Sequence, residues 1–148
     1  MLSDELRKRF PGAVSYRPGD SEALNREILE LMASGAKTVT CDAWRLFEDR
    51  GEPFPIEGRI DIAVDWAGKP AIATRTLRVE RIRYADMTED KVSAQGEFRD
   101  LEDWQRGYAA YFARTAGGCT PDMELMVETF EVVAVLDTML SDDNESGN

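Results

Sequence analysis

Gly35-Ala36-Lys37-Thr38-Val39-Thr40-Cys41 is the stretch on which the reading of this chain turns. It lies where an amphipathic helix hands over to an extended run. Upstream, Leu24, Ile28, Leu31 and Met32 recur at the spacing that lays one apolar stripe along a helix. Pro18-Gly19 makes a turn, Asp20 or Ser21 supplies the cap, and Glu22 falls in the first turn. Ser34-Gly35 ends the helix, with Gly35 suited to a left-handed cap. Downstream, residues 37–44 begin as an alternating strand and pass into a helical turn over 45–50. A rigid helix-to-strand junction holds polar groups at fixed spacing, so Lys37, Thr38 and Thr40 are the first candidates for chemistry.

Working outward, the two prolines of Gly51-Glu52-Pro53-Phe54-Pro55 exclude helix and inner strand. Residues 59–66 alternate strictly and predict a half-buried strand. Ala67-Gly68-Lys69-Pro70 is a hairpin-type turn, and residues 71–84 form one long strand or a pair broken near Glu80. A polar stretch follows, with a helical turn at 88–92. Residues 101–113 read as a helix with Leu101, Trp104, Tyr108, Tyr111 and Phe112 on one broad face. Residues 124–136 are a closing strand rich in Val, Met and Phe, and residues 2–10 a short helix ended by Pro11-Gly12. Strands joined by short turns predict an antiparallel, barrel-like α+β fold with five or six strands and flanking helices. One domain is expected over 16–136, after an N-terminal extension at 1–15 and before a disordered acidic tail at 137–148.

At 148 residues the chain can bury a core without disulfides or metal. No apolar run approaches the roughly 20 residues of a membrane span. The basic N-terminal residues have no apolar segment behind them, so no signal peptide is expected. Cys41 and Cys119 read as free thiols in a reducing cytosol, which predicts a cytoplasmic protein. Histidine is absent, which excludes Ser-His-Asp and Cys-His nucleophiles and histidine-ligated zinc. Acid–base work therefore falls to Asp, Glu, Lys, Tyr or Cys. The net charge of −11 disfavours tight binding of long duplex nucleic acid and leaves a nucleoside or a short strand as the easier partner.

A wider pattern surrounds the opening stretch. Pro18-Gly-Asp-Ser21, the capped helix, Gly35-Ala-Lys-Thr-Val-Thr40 and Trp44 come first. Ala94-Gln-Gly-Glu97 then leads into Leu101-Glu-Asp-Trp104, and Thr120-Pro-Asp-Met123 into Glu128-Thr-Phe-Glu-Val-Val133. Over residues 16–134 this order resembles the ASCH domain family, in its longer bacterial branch. That family belongs to the PUA-like superfamily of small mixed or antiparallel β-barrels associated with RNA. The resemblance implies an RNA-, nucleotide- or modified-nucleoside-directed protein. Relatives include ribonuclease-like proteins and an amidohydrolase that deacetylates N(4)-acetylcytidine with a lysine, a threonine three residues on and a distant glutamate. Lys37, Thr40 and Glu97 match those positions. A non-catalytic reader of an RNA base or nucleotide is the alternative. No cofactor is implied, and divalent-metal dependence and oligomeric state stay open.

A threonine hydroxyl needs a base before it can attack. Lys37 serves only if burial strips its proton; a charged Lys37 stabilises developing negative charge instead, and Glu97 becomes the proton-transfer group. Residues three apart on a regular strand point to opposite faces. Lys37 and Thr40 therefore meet only if the chain turns near Thr38 or the lysine stem reaches round. Each also has an ordinary reading: a cation at a helix C-terminus, a strand threonine, a solvated loop carboxylate. Thr38, Trp44 and Thr120 are candidate lining, with Trp44 equally suited to the core. Arg78 is the candidate phosphate or base contact, although Arg75, Arg78, Arg81 and Arg83 fit a salt-bridged sheet better. Asp61 and Asp65 are too sparse for a metal site.

Overall fold

The computed structural model describes residues 2–136. The helices are α1 (Asp4–Arg9), α2 (Glu22–Ser34), α3 (Trp44–Arg50), α4 (Glu89–Ser93) and α5 (Leu101–Thr115). The strands are β1 (Ser15–Tyr16), β2 (Val39–Ala43), β3 (Ile60–Val64), β4 (Pro70–Arg83) and β5 (Glu124–Val135). The expected tail at 137–148 lies outside the described residues.

The strands form one mixed sheet in the order β1-β3-β4-β5-β2, in which only β1 and β3 run parallel. It is α+β, as expected, but the barrel does not close: β1 and β2 stand at opposite edges. Other groups take up the outer rim of β2. The carbonyl of Ala94 accepts from the Thr38 and Val39 amides at 2.8 and 3.1 Å, and the Tyr108 hydroxyl donates to the Cys41 carbonyl at 3.2 Å. An edge protected this way has no call for a closing strand. The stretch 71–84 is a single strand that shifts register at residues 73–74 and 76–78, not a pair broken at Glu80.

The α2 helix forms where its stripe and caps predict. Ser21 accepts from the Leu24 amide at 3.2 Å, and Gly35 closes the helix at φ +83°. Ile28, Leu29 and Met32 pack on Ala63, Ile72 and Phe130. A second core joins Trp104, Tyr108 and Phe112 of α5 to Val39, Cys41, Ala43, Leu125 and Val127. The third core lies under α1, where Leu6 and Phe10 meet Ile62 and Ala73. Alternation along β2 and β5 thus sends odd-numbered residues into the α5 core. Thr40, Asp42, Met126 and Glu128 face the other way, onto a cavity.

Candidate functional site

The cavity has a volume of about 740 Å³ and is floored by β2 and β5. Its walls are the 14–20 turn, the Arg50–Pro55 loop, Glu97-Phe98 and one face of α5. Lys37 is 1% exposed and does not border it. Its ammonium donates to the Val39 carbonyl at 2.9 Å, the Gln95 carbonyl at 3.4 Å and Glu97 Oε1 at 2.5 Å. Three donors meet three acceptors, so the buried cation is fully satisfied. The stem bends round to the carbonyl two residues on, and this lets Lys37 act near a strand whose alternation would otherwise turn it away.

Glu97 is the link between the sealed lysine and the open cavity. One oxygen takes the Lys37 ammonium; the other has no hydrogen-bond partner among the described residues, and Glu97 borders the cavity. Thr40 borders it as well, with its hydroxyl unpartnered among the described residues. Gly96 makes this juxtaposition attainable. Its φ is +75°, and a Cβ there would sit 2.7 Å from the Ala36 carbonyl oxygen. Only glycine lets the two backbones approach so closely. Gly107 does the same for Phe98, whose ring occupies the space a Cβ would fill.

Not every candidate gathers here. Thr38 is exposed, with its amide bonded to Ala94 and its carbonyl to the Phe130 amide. Trp44 and Thr120 line a separate depression, where the Arg81 guanidinium lies 4.3 Å from the Trp44 ring centre. Arg78 is exposed and paired with Glu80 at 3.2 Å. Arg81 and Arg83 are likewise exposed and paired, with Glu124 and Asp86, and half-buried Arg75 pairs with Glu131. Cys41 lies in the decisive stretch, but burial pushes its thiol up to about 12, so it is no nucleophile at neutral pH.

Sequence reading missed a second polar group on the cavity floor. Glu128 is 8% exposed and accepts from the Thr76 hydroxyl at 2.6 Å. Burial pushes its carboxyl up to about 7; Asp61 adds to the rise, while Thr76, Arg59 and Lys37 oppose it. Beside it, Arg59 grips Asp61 at 2.8 and 3.0 Å, and the Tyr16 hydroxyl pairs with Thr74 at 3.2 Å. The signal was there: Met126, Glu128 and Phe130 share one phase of an apolar strand, and a carboxylate in that phase is out of place. At the rim, Arg114 of α5 joins Asp20 at 3.1 Å.

A small α+β domain with a buried lysine–glutamate pair behind a polar cavity is the class these features define. The ASCH domain model matches residues 15–134, and the chain belongs to the ASCH domain family, a PUA-like fold associated with RNA binding. An ASCH domain from Lactobacillus crispatus superposes with a TM-score of 0.76 at 24% identity, over 89% of this chain and 86% of that one. A protein of Enterococcus faecalis does so at 0.78 and 25%, over 97% and 90%. A mutant ASCH protein from Zymomonas mobilis shares the fold at 0.50 and 11%, over 92% and 81%. No curated protein matches the chain. No helix among the described residues is long and apolar enough to cross a membrane.

Proposed function

We propose that this chain is a hydrolase of N-acylated nucleosides, with Thr40 as nucleophile, Glu97 as its base and Lys37 as the residue that positions Glu97. One observation carries the reading: Glu97 is held by Lys37 at 2.5 Å while its second oxygen is left to the cavity that Thr40 also borders. With all its donors engaged and no face on the cavity, Lys37 positions rather than accepts the proton. Glu97 takes the Thr40 proton, the Thr40 oxygen bonds to the acyl carbon, and the base leaves as a free amine. Water then releases the acyl group.

Two features favour a nucleoside over an RNA strand. Carboxylates outnumber arginines along the cavity wall, and Arg59 and Arg114 are already tied to Asp61 and Asp20. A phosphodiester backbone would meet net repulsion there, whereas an uncharged nucleoside would not. Tyr108, Tyr111 and Phe98 supply an aromatic wall for its base. That wall is also what favours the second reading, a non-catalytic reader of a base. Incubating the protein with N(4)-acetylcytidine and with short single-stranded RNA, then analysing products, separates them. Deacetylation that disappears in Glu97→Gln supports the hydrolase; binding without products supports the reader.

A further inference from the structure

The hydrolytic reading leaves one proton unaccounted for. When the acyl carbon–nitrogen bond breaks, the leaving nitrogen must gain a proton, and in this scheme Glu97 has just taken the proton of the attacking hydroxyl. We propose that Glu128 is a second catalytic carboxyl, the general acid that protonates the leaving amine. This rests on the assignment of Thr40 as nucleophile.

The register supplies the placement. Thr40 of β2 and Glu128 of β5 are direct cross-strand partners, and both border the cavity. Side chains opposite one another on the same face of an antiparallel pair have Cβ atoms about 4.5–5.5 Å apart. Glu128 Oε2 is anchored by the Thr76 hydroxyl at 2.6 Å. Its Oε1 has no partner among the described residues and is not sealed from the cavity, so it is the atom open to substrate. Glu97 reaches the same space from the 94–98 loop, not from the sheet. Glu97 therefore serves the attacking hydroxyl and Glu128 the departing nitrogen.

Charge around Glu128 suits the task. Asp61 of β3 and Arg59 just before that strand face it as a neutral pair, Tyr16 from β1 is an uncharged phenol, Thr76 from β4 donates to it, and Lys37 is committed to Glu97. Burial lifts this carboxyl to about 7, so much of it holds a proton at neutral pH. The steps balance. In acylation Thr40 gives its proton to Glu97, and Glu128 gives its own to the nitrogen. In deacylation a water adds to the acyl carbon and loses a proton to Glu128, while Glu97 returns its proton to the Thr40 oxygen. Both carboxyls end as they began.

The test compares two substrates that differ in their need for an acid. N(4)-acetylcytidine has an amine leaving group; p-nitrophenyl acetate releases a phenolate that needs no proton. Glu128→Gln should lower amide turnover on the order of 100-fold or more, the usual range for a lost general acid. It should leave the first-turnover release of p-nitrophenolate, which precedes deacylation, within a few-fold of wild type, whereas Thr40→Ala loses both. Wild-type amide turnover should fall as pH rises through about 7, and Thr76→Val, which removes a bond favouring the charged form, should move that fall to higher pH. An equal loss of amide turnover and of first-turnover p-nitrophenolate release, or wild-type amide turnover and pH profile in Glu128→Gln, overturns the assignment of Glu128 and leaves the hydrolase standing. Absence of wild-type turnover on either substrate overturns the hydrolase and the acid with it.

Discussion

Lys37 is sealed from water and, among the described residues, has one carboxylate, Glu97, within ion-pair distance. Glu97→Ala therefore strands a buried ammonium, and the expected loss of unfolding free energy is about 3–5 kcal/mol. Removing both charges in Lys37→Met/Glu97→Gln should recover most of that loss while remaining inactive, which urea titration of the set will show. Glu128 gives the pH dependence. Its folded pKa lies above the unfolded 4.5 and reaches about 7, so the native state holds this proton more tightly than the unfolded chain. The sign follows: its contribution is most favourable below 4.5, declines as pH rises to about 7 and stays low beyond. At about 1.4 kcal/mol per unit the change is roughly 3 kcal/mol. Glu128→Gln should therefore gain stability relative to wild type by about that amount between pH 4.5 and pH 8, read from urea midpoints at both. At this scale the sequence was half legible. The motif singled out Lys37, Thr40 and Glu97, and the lysine stem bends round to the Val39 carbonyl and to Glu97. Glu128 passed unread because the Val, Met and Phe of residues 124–136 marked only a closing strand. Asp61 was weighed with Asp65 for a metal, and its pairing with Arg59, two residues before it, went unread.

Among the elements, the legible ones carry their own local signals. The α2 helix has stripe, serine cap and glycine stop within fifteen residues, so nothing distant can overrule it. Strand β1 is two residues whose partner is β3, and no local pattern announces such a parallel pairing. The open edge of β2 was illegible for the same reason, because the groups that cover it, Ala94 and Tyr108, lie far along the chain. Trp44 and Thr120 left the cavity because Trp44 is the first residue of α3, which carries it to the other side of the edge. The 94–97 loop makes an element-scale prediction. Gly96→Ala forces a side chain into a left-handed backbone and against Ala36, so it should lose at least about 1–2 kcal/mol and displace Glu97. Gly35→Ala has a similar φ but open space around it; it should lose comparable or less stability and keep activity. Thermal unfolding and turnover of the two variants side by side check this.

For the molecule as a whole, acidity is the organising property. A net charge of −11, the arginines of β4 each tied to a carboxylate and a carboxylate-rich cavity wall leave little positive field to draw in a phosphate backbone. N(4)-acetylcytidine binding should accordingly change by less than about twofold between about 50 and 200 mM salt; a site gripping several phosphates would lose affinity by orders of magnitude. Calorimetry at the two salt concentrations measures this. The most direct measurement is product analysis of N(4)-acetylcytidine incubated with wild type, Thr40→Ala and Glu97→Gln. Expected is cytidine and acetate from wild type and neither from the two variants. Deacetylation at the wild-type rate by either variant would contradict a Thr40–Glu97 site held by Lys37.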